Sequence, residues 1–285
     1  MSLISTWLAF RDERSVSLSP TSLATDYRQV ERWLERCPIQ DLERGREVLR
    51  WVLQQQPAQS AHRVAGFVKA LYRWAASPDV GLLPANPVAS FRLPKRTRNP
   101  AEVVVIPRAQ IPAVLGALRE GSNADQRWDL VASFMLQTGL RTGEAFGLHW
   151  GDVDWAGLRC RIHQNHTLTH GLQPRTKTGR ERWVPLNPTA QAVLRELGPQ
   201  KPEGLLFPWC RHSFMAQFRS VMEQLHQKGV TQQRFRPYDL RHTAISRWLE
   251  AQIPVSQAAA WAGNTAEVIW RHYASATERY EIPVL

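Results

Sequence analysis

The chain is poor in cysteine and lacks long apolar runs. Its three cysteines, Cys37, Cys160 and Cys210, are widely separated and odd in number, so neither a disulfide framework nor a Cys-x-x-Cys metal site is indicated. No stretch of about 18 apolar residues occurs, and charged residues from Arg11 onward interrupt the N-terminal segment before a signal sequence could form. These absences predict a cytoplasmic protein of a reducing compartment, with no membrane role.

Acidic residues are in the minority. Lys and Arg total 36 against 25 Asp and Glu, which gives a formal charge of +11 and a pI of about 10.3. A surplus of this size favours a polyanionic partner, although a soluble protein can also simply be basic. A membrane surface would require an amphipathic segment with exposed apolar residues, and none is clear. Nucleic acid is therefore the favoured partner.

The N-terminal part of the chain has a helical pattern. Apolar residues recur at three- and four-residue spacing in Tyr27–Leu34, Val48–Val52 and Val64–Tyr72. Ser19 and Pro20 supply an N-cap and a first-turn proline for the helix that contains the first of these stretches. The pattern predicts a small all-helical domain.

A proline-rich segment follows. Six of the 19 prolines lie between positions 78 and 107, a density that favours an extended connector over a packed element. Lys95, Arg96 and Arg98 make this segment basic, so it either lies along a phosphate backbone or is a solvated charged stretch. We expect a helical domain over residues 1–85, a linker over 86–107 and a second domain over 108–285.

The second domain mixes helical and strand patterns. Helices are predicted at Ala109–Leu118, Asp129–Gln137, near Thr142, and at Pro188–Leu197, Phe214–Gln227, Asp239–Glu250, Val255–Trp261 and Ala266–Ala274. Gly139 is a plausible C-cap for the second of these helices. Short strands are predicted at Leu158–Ile162, around Thr167–Leu168 and at Arg182–Leu186. The fold class expected is mostly α with a small antiparallel β-sheet, that is, α+β.

Five short motifs in this domain carry chemistry as a set. They are Thr138–Glu144, Thr176–Gly179, Tyr238–His242, Gly263–Asn264 and Tyr273. Singly, each has a structural explanation: an arginine at a helix end, a lysine in a solvated hairpin turn, or a tyrosine in a core. Together they supply two arginines, a lysine and a hydroxyl nucleophile, which suit phosphodiester chemistry without a carboxylate cluster.

The order and spacing of these motifs resemble the tyrosine recombinase family, also called the phage integrase family, from about Pro107 to the end. The preceding helical domain and basic linker resemble that family's core-binding domain only in length and helicity. The resemblance implies a core-binding domain followed by a catalytic domain, and site-specific cleavage and rejoining of DNA through a 3′-phosphotyrosine intermediate. It implies neither a cofactor nor a metal.

The resemblance also assigns roles to individual residues. Arg141 and Arg241 match the two arginines that hold the scissile phosphate and its transition state. Tyr273 matches the nucleophile, and Lys177 matches the β-hairpin lysine that protonates the leaving 5′-oxygen. Glu144 matches a family acid, for which we expect an orienting role rather than proton transfer.

Two positions depart from the usual family pattern. Tyr238 stands where the family usually has His, and Asn264 stands where it usually has His or Trp. Both can donate hydrogen bonds, but neither replaces an imidazole as a proton carrier near neutral pH. We therefore expect a site that depends mainly on arginine and lysine electrostatics. His242 is expected to pack or hydrogen-bond, and His272 to lie about 100° round the helix from Tyr273.

The expected partner is double-stranded DNA at specific recombination sites, with a homotetramer in the synaptic complex and a directionality factor left open. The expected location is the cytoplasm, in association with the nucleoid. Because the chain begins with the core-binding helices, a simple two-site recombinase is favoured. The DNA-binding candidates are all basic residues of the linker and the hairpin, namely Lys95, Arg96, Arg98, Arg175 and Arg180.

Several alternatives stay open. The biological role is integration or excision of a mobile element, or resolution of chromosome or plasmid dimers. Tyr238 and Asn264 motivate a catalytically weakened architectural DNA-binding protein, and related tyrosine chemistry allows a type IB topoisomerase-like enzyme.

A zinc site is disfavoured by strand geometry. Cys160, His163, His166 and His170 have an inviting spacing. On a strand that continues to His163, however, the side chains of Cys160 and His163 point to opposite faces and cannot share one ion.

Overall fold

Helices dominate the structure, and small antiparallel sheets complete it, which confirms the predicted fold class. The computed structural model describes residues 1–55, 57–94, 103–122, 126–174, 179–198 and 200–273. The chain divides into two units, residues 1–97 and 98–285, each with an apolar core of its own. Among the described residues, no helix combines the length and apolar character needed to cross a membrane.

The first unit is all-helical. Its helices are α1 (Leu3–Ser15), α2 (Pro20–Ser22), α3 (Arg28–Arg36), α4 (Gly45–Gln54) and α5 (Ala58–Ala75). A π-helical turn, Leu23–Tyr27, joins α2 to α3. The predicted start of this segment is confirmed, because the Ser19 side chain accepts a hydrogen bond from the backbone N–H of Ser22 and Pro20 occupies the first turn.

Aromatic side chains fill the centre of the first unit. Trp7 of α1 is fully buried and stacks on Tyr27 with ring centroids 5.3 Å apart. Phe67 of α5 meets Tyr27 edge-on at 5.1 Å. Burial of one such side chain contributes about 1.5–3 kcal/mol, so these rings hold the three helical segments together.

The proline-rich segment is packed at both of its described ends. Leu83 and Val88 are buried in the core of the first unit. Ile106 is buried in the core of the second unit, where its backbone N–H donates to the Thr243 hydroxyl at 2.9 Å. Packed structure therefore continues beyond residue 85. The boundaries 1–85, 86–107 and 108–285 stay a prediction, and Lys95, Arg96 and Arg98 lie outside the described residues.

The second unit is built around one central helix. Its helices are α6 (Ile111–Glu120), α7 (Trp128–Thr138), α8 (Thr142–Ala145), α9 (Pro188–Leu197), α10 (Arg211–Gln227), α11 (Pro237–Glu250), α12 (Val255–Ala262) and α13 (Ala266–Tyr273). Residues Leu130, Val131 and Phe134 of α7 are buried, and α6, α9 and α11 pack against this helix. A helix that is apolar on several faces is expected at the centre of such a bundle.

The strands form two sheets rather than the one predicted. They are β1 (Val153–Asp154), β2 (Arg159–Ile162), β3 (Asn165–Thr167), β4 (Gly171–Gln173) and β5 (Arg182–Pro185). One antiparallel sheet has the order β1-β2-β5, and the other pairs β3 with β4. In the first sheet Cys160 lies opposite Val184, and both side chains face the core.

Two glycines explain why β3 leaves the first sheet. A Cβ at Gly143 of α8 would lie 2.1 Å from the side-chain oxygen of Asn165, and one at Gly147 would lie 3.3 Å from the Asn165 backbone. Asn165 therefore packs directly on α8, at a distance that only glycine permits. The hairpin of β3 and β4 rests on that helix instead of extending β2.

Gly139 ends α7 as predicted. Its φ is +62°, and its backbone N–H donates to the Met135 carbonyl at 2.9 Å, which is an αL helix cap. The ring of Trp248 closes over the position, because a Cβ on Gly139 would lie 2.6 Å from its Cη2. Both the backbone conformation and the available space therefore require glycine here.

We expect Gly139→Ala to lower the free energy of unfolding by about 1–3 kcal/mol, because it combines an αL penalty with a steric clash. Urea denaturation measures this change. Gly116→Ala is the matched control: Gly116 is exposed within α6 with no atom near its Cβ position, and alanine there should stabilise the helix by about 0.5–1 kcal/mol. Equal stability of the two variants would contradict the interpretation.

Candidate active site

A helix start positions the first arginine of the site. Directly after Gly139 and Leu140, Arg141 occupies the N-cap of α8. Its backbone N–H donates to Glu144 Oε2 at 2.9 Å, in the manner of a capping box. This local bond turns the Glu144 side chain toward the interior and places it beside the Arg141 guanidinium.

Glu144 is the centre of a buried ion cluster. The residue is 1% exposed, and its Oε1 accepts from Arg141 Nη1 at 2.8 Å while its Oε2 accepts from Arg182 Nη2 at 2.7 Å. Burial alone would raise the pKa of this carboxyl, but Arg182, followed by Arg141 and Arg241, outweighs burial and lowers it. Glu144 is therefore ionised near neutral pH and holds guanidinium groups in place. The orienting role assigned to it stays a prediction.

Arg182 is the member of this cluster that the sequence motifs do not reveal. It begins β5, lies opposite Ile162 of β2 and shares the inner face of the strand with Val184. Its Nε donates to the Trp261 carbonyl at 2.7 Å, and a Cβ on Gly263 would lie 2.9 Å from its Nη1. The available sequence signal was the two-residue alternation of a strand, which puts Arg182 on the same face as the apolar Val184.

The two family-pattern arginines converge on one amide oxygen. Asn264 Oδ1 accepts from Arg141 Nη2 at 2.9 Å and from Arg241 Nη2 at 3.2 Å. Gly263, with φ of +64°, ends α12 and turns the chain so that Asn264 reaches both arginines. Residues that lie far apart in the sequence are thereby joined at one point.

Arg241 is held rigidly. It is 1% exposed, and its guanidinium donates to the carbonyls of Gly139 and Ala262, both at 2.7 Å. Burial, followed by repulsion from Arg141, lowers the pKa of Arg241 to about 10, so the side chain stays cationic near neutral pH. Its position is fixed before any anion arrives.

The cluster has an uncompensated positive charge. Three guanidinium groups, those of Arg141, Arg182 and Arg241, surround the single carboxylate of Glu144, which leaves a net charge of about +2. The Arg141 side chain is 19% exposed, so solvent reaches the cluster on that side. This arrangement can bind an anion with bidentate donors, as phosphate recognition requires.

Tyr273 is bonded to His242. The tyrosine lies on α13 with its ring buried in the core beside Ile269. Its hydroxyl is hydrogen-bonded to His242 Nδ1 at 2.5 Å. Burial raises the pKa of the Tyr273 phenol, and burial also lowers the pKa of His242 to about 4. His272, the neighbour of Tyr273, is exposed, in agreement with the predicted rotation about the helix.

Tyr238 lies at the edge of the site. The residue is 43% exposed near the start of α11, and its ring meets the His242 ring edge-on with centroids 4.9 Å apart. The structure thus places Tyr238 against His242, one helical turn further along α11.

The remaining predicted site residues are placed only in part. Lys177 and Arg175 lie outside the described residues, in the sequence interval between β4 and β5. Arg180 is described and exposed. The roles assigned to all three stay predictions.

The proposed zinc ligands near β2 include one buried cysteine and one histidine that is paired with an aspartate. Cys160 is buried in the core, and His163 Nε2 is 2.8 Å from Asp152 Oδ1. Over the described ranges, no three or more His, Cys, Asp or Glu side chains are grouped so as to hold a metal ion.

We expect Arg182→Ala to lower the free energy of unfolding by about 3 kcal/mol or more, because it removes the guanidinium that donates to both oxygens of the buried Glu144 carboxylate. Arg159→Ala is the control, since Arg159 forms an exposed pair with Asp154 at 2.8 Å and should cost under about 1 kcal/mol. Chemical denaturation of both variants provides the comparison. Similar losses would show that the Glu144 cluster does not depend on Arg182.

We expect stability to fall on acidification because of His242. The unfolded imidazole takes up a proton below its ordinary pKa of 6.5, whereas the folded one stays neutral until about pH 4. The contribution is present above pH 6.5 and declines as the pH falls from there to about 4. Across this window the urea midpoint should therefore fall less steeply in His242→Gln than in the wild type. The two slopes of unfolding free energy against pH should differ by up to the equivalent of one bound proton. Parallel pH slopes for the wild type and His242→Gln would contradict this role of His242 in the pH dependence of stability.

A family model described as the phage integrase family matches residues 105–279. The tyrosine recombinase XerC of Chromobacterium violaceum is 27% identical over 172 residues, which cover 58% of this chain and 53% of that protein. XerC of Xylella fastidiosa is 29% identical over 210 residues, or 68% of this chain and 62% of that protein. The chain thus matches between about half and three-fifths of the length of these relatives.

Solved structures share the fold. The Tn1549 transposon integrase in complex with a circular intermediate DNA has a TM-score of 0.78 at 15% identity, over 96% of this chain and 95% of that one. A lambda integrase dimer bound to a COC′ core site has a TM-score of 0.70 at 16% identity, over 100% and 99% of the two chains. Because the family model covers more than half of the sequence, the chain belongs to the phage integrase family of tyrosine recombinases.

Proposed function

We propose that this chain is a site-specific recombinase that cleaves and rejoins double-stranded DNA through a 3′-phosphotyrosine at Tyr273. One observation carries the proposal. Arg141 and Arg241, 100 residues apart in the sequence, converge on Asn264, and Tyr273 is bonded to His242, the neighbour of Arg241. These contacts support the proposal that a phosphate-binding group and a hydroxyl nucleophile belong to one site.

The arginines are the proposed phosphate clamp. Arg241 is fixed by two backbone carbonyls, and Arg141 by Glu144, so neither has to reorganise when the scissile phosphate binds. Each guanidinium has five N–H donors, so non-bridging phosphate oxygens would accept from donors other than those bonded to Asn264 Oδ1. Preorganised donors of this kind typically each contribute about 10²–10³ in rate.

The proposed reaction requires no energy source besides the DNA. Tyr273 attacks the phosphorus, and the bond to the 5′-oxygen breaks. Lys177 is proposed to protonate that oxygen. Because the phosphotyrosine retains the energy of the original ester, a 5′-hydroxyl can attack it and restore the strand.

Tyr238 and Asn264 are proposed to bind rather than to transfer protons. Asn264 offers its oxygen to the arginines, which leaves its amide N–H groups available to donate to a phosphate oxygen. Tyr238 is exposed and offers a phenolic donor at the edge of the site.

The helical N-terminal unit is proposed as a core-binding domain, and the basic residues Lys95, Arg96, Arg98, Arg175 and Arg180 as contacts to the DNA backbone. The net charge of +11 supports this.

We further propose a homotetramer in the synaptic complex, which acts on DNA of the nucleoid in the cytoplasm. A structural neighbour, lambda integrase, is a tetramer bound to a Holliday junction. Integration or excision and dimer resolution both fit these features.

Covalent trapping tests the proposal. A pool of nicked duplexes with randomised sequence releases a short fragment after cleavage, so a phosphotyrosine adduct cannot reseal. We expect wild type to form an SDS-resistant protein–DNA adduct that maps to Tyr273, and Tyr273→Phe to form none because it lacks the nucleophilic oxygen. Both proteins should retain DNA binding, and this binding should weaken steeply with salt.

The outcomes separate the alternatives. DNA binding without an adduct in either protein would favour the architectural DNA-binding alternative over the recombinase. An adduct accompanied by relaxation of supercoiled plasmids that carry no paired sites would favour a topoisomerase-like enzyme. An adduct that persists in Tyr273→Phe would assign the nucleophile elsewhere.

A further inference from the structure

The contact between Tyr273 and His242 joins two helices at a reactive atom. Tyr273 is on α13 and His242 on α11, and the phenolic oxygen lies 2.5 Å from Nδ1 of the imidazole. The rings are 5.7 Å apart and inclined at 48°, so they do not stack. The hydrogen bond, rather than ring packing, defines this contact.

The tyrosine is the donor in this hydrogen bond. Both partners are buried in part, and burial keeps the phenol protonated and the imidazole neutral near pH 7. Between two neutral groups, the phenol is the stronger acid and the unprotonated imidazole nitrogen is the stronger acceptor. Nδ1 therefore accepts, and the ring proton is on Nε2.

Among the residues that the structure describes, the other bases near the phenol are occupied or turned away. Asp239 is buried as the capping carboxylate of α11, where its Oδ2 accepts from the Arg236 backbone N–H at 2.7 Å. Glu144 is committed to its arginines. His272 is exposed. Tyr238 packs edge-on against the imidazole with ring centroids 4.9 Å apart.

We propose that His242 is a catalytic residue, the general base that takes the proton from Tyr273 when this tyrosine attacks DNA; this role rests on the proposed function above. The Tyr273 O–H bond breaks and its proton moves to His242 Nδ1. The oxygen electron pair forms the bond to phosphorus, the bond from phosphorus to the 5′-oxygen breaks, and that oxygen takes its proton from Lys177 or water. On rejoining, the His242 imidazolium returns the proton to Tyr273.

The phosphate itself makes His242 a better base. Groups of both signs act on the imidazole: burial disfavours its charged form, Asp239 favours it, and Arg241, Arg236 and His272 disfavour it. A phosphodiester bound at Arg241 brings a negative charge that offsets this repulsion. The proton acceptor therefore becomes competent as the substrate arrives, and Tyr273 stays protonated until then.

The test compares single-turnover adduct rates on nicked duplexes. We expect His242→Gln, which can still accept a hydrogen bond but is not a base, to slow adduct formation by about 10²–10⁴-fold with DNA binding unchanged. His242→Ala should be equally slow, and added imidazole should partly restore it. His272→Ala, which removes the exposed neighbouring histidine, is the matched control and should react no more slowly than wild type.

A sulfur substitution separates the base from the acid. In a duplex with a 5′-bridging phosphorothiolate, the leaving thiolate needs no proton. This substrate should rescue Lys177→Ala. The His242 variants should stay slow, because their defect is in proton removal from Tyr273 and not in protonation of the leaving group. A His242→Gln rate within about threefold of wild type, or rescue of His242→Gln by sulfur, would overturn the proposal.

Failure of the proposed function would look different. If wild type forms no adduct, both the recombinase function and the catalytic role of His242 are wrong. If wild type forms the adduct and His242→Gln does so equally fast, only the general-base role is wrong. The ¹⁵N chemical shifts of His242, which distinguish the Nε2–H tautomer, test the resting hydrogen bond without DNA, and an Nδ1–H tautomer would contradict it.

Discussion

The Glu144 carboxylate imposes the arrangement of this site. A charge buried to this extent requires compensation, and Arg141 and Arg182 supply it from α8 and β5. The Arg182 guanidinium in turn bonds the end of α12 through the Trp261 carbonyl and lies under Gly263. One acidic residue thereby fixes three elements that are distant in sequence. Arg141 and Arg182 occupy their positions because they compensate the buried charge of Glu144.

Asn264 solves a second electrostatic problem. Arg141 and Arg241 repel each other, and an indole or a protonated imidazole at this position would add further donors. The amide oxygen instead accepts from both guanidinium groups. The departure from the family pattern therefore has a local rationale, since the arginines are satisfied and held together before an anion binds.

The parts that could be predicted from the sequence are those set by local chemistry. The Ser19 cap, the Gly139 cap and the helix periods depend on neighbouring residues alone, and the structure has them where the sequence indicates. Arg182 and the separate β3–β4 sheet depend on contacts across more than a dozen residues. Nothing near Arg182 in the sequence shows that Glu144 is its partner, because that pairing exists only after β5 and α8 have packed.

Burial keeps both the Tyr273 phenol and the His242 imidazole in their neutral forms. A phenolate next to an imidazolium would be two charges in a buried place, and burial opposes both. The net positive cluster next to them favours a phenolate but disfavours an imidazolium, so proton transfer alone gains nothing from it. In the proposed mechanism, an anion on Arg141 and Arg241 would reverse the second effect, and formation of the phosphorus–oxygen bond would consume the phenolate as it forms. The arginines proposed to bind phosphate would thus also oppose protonation of His242 until phosphate is bound.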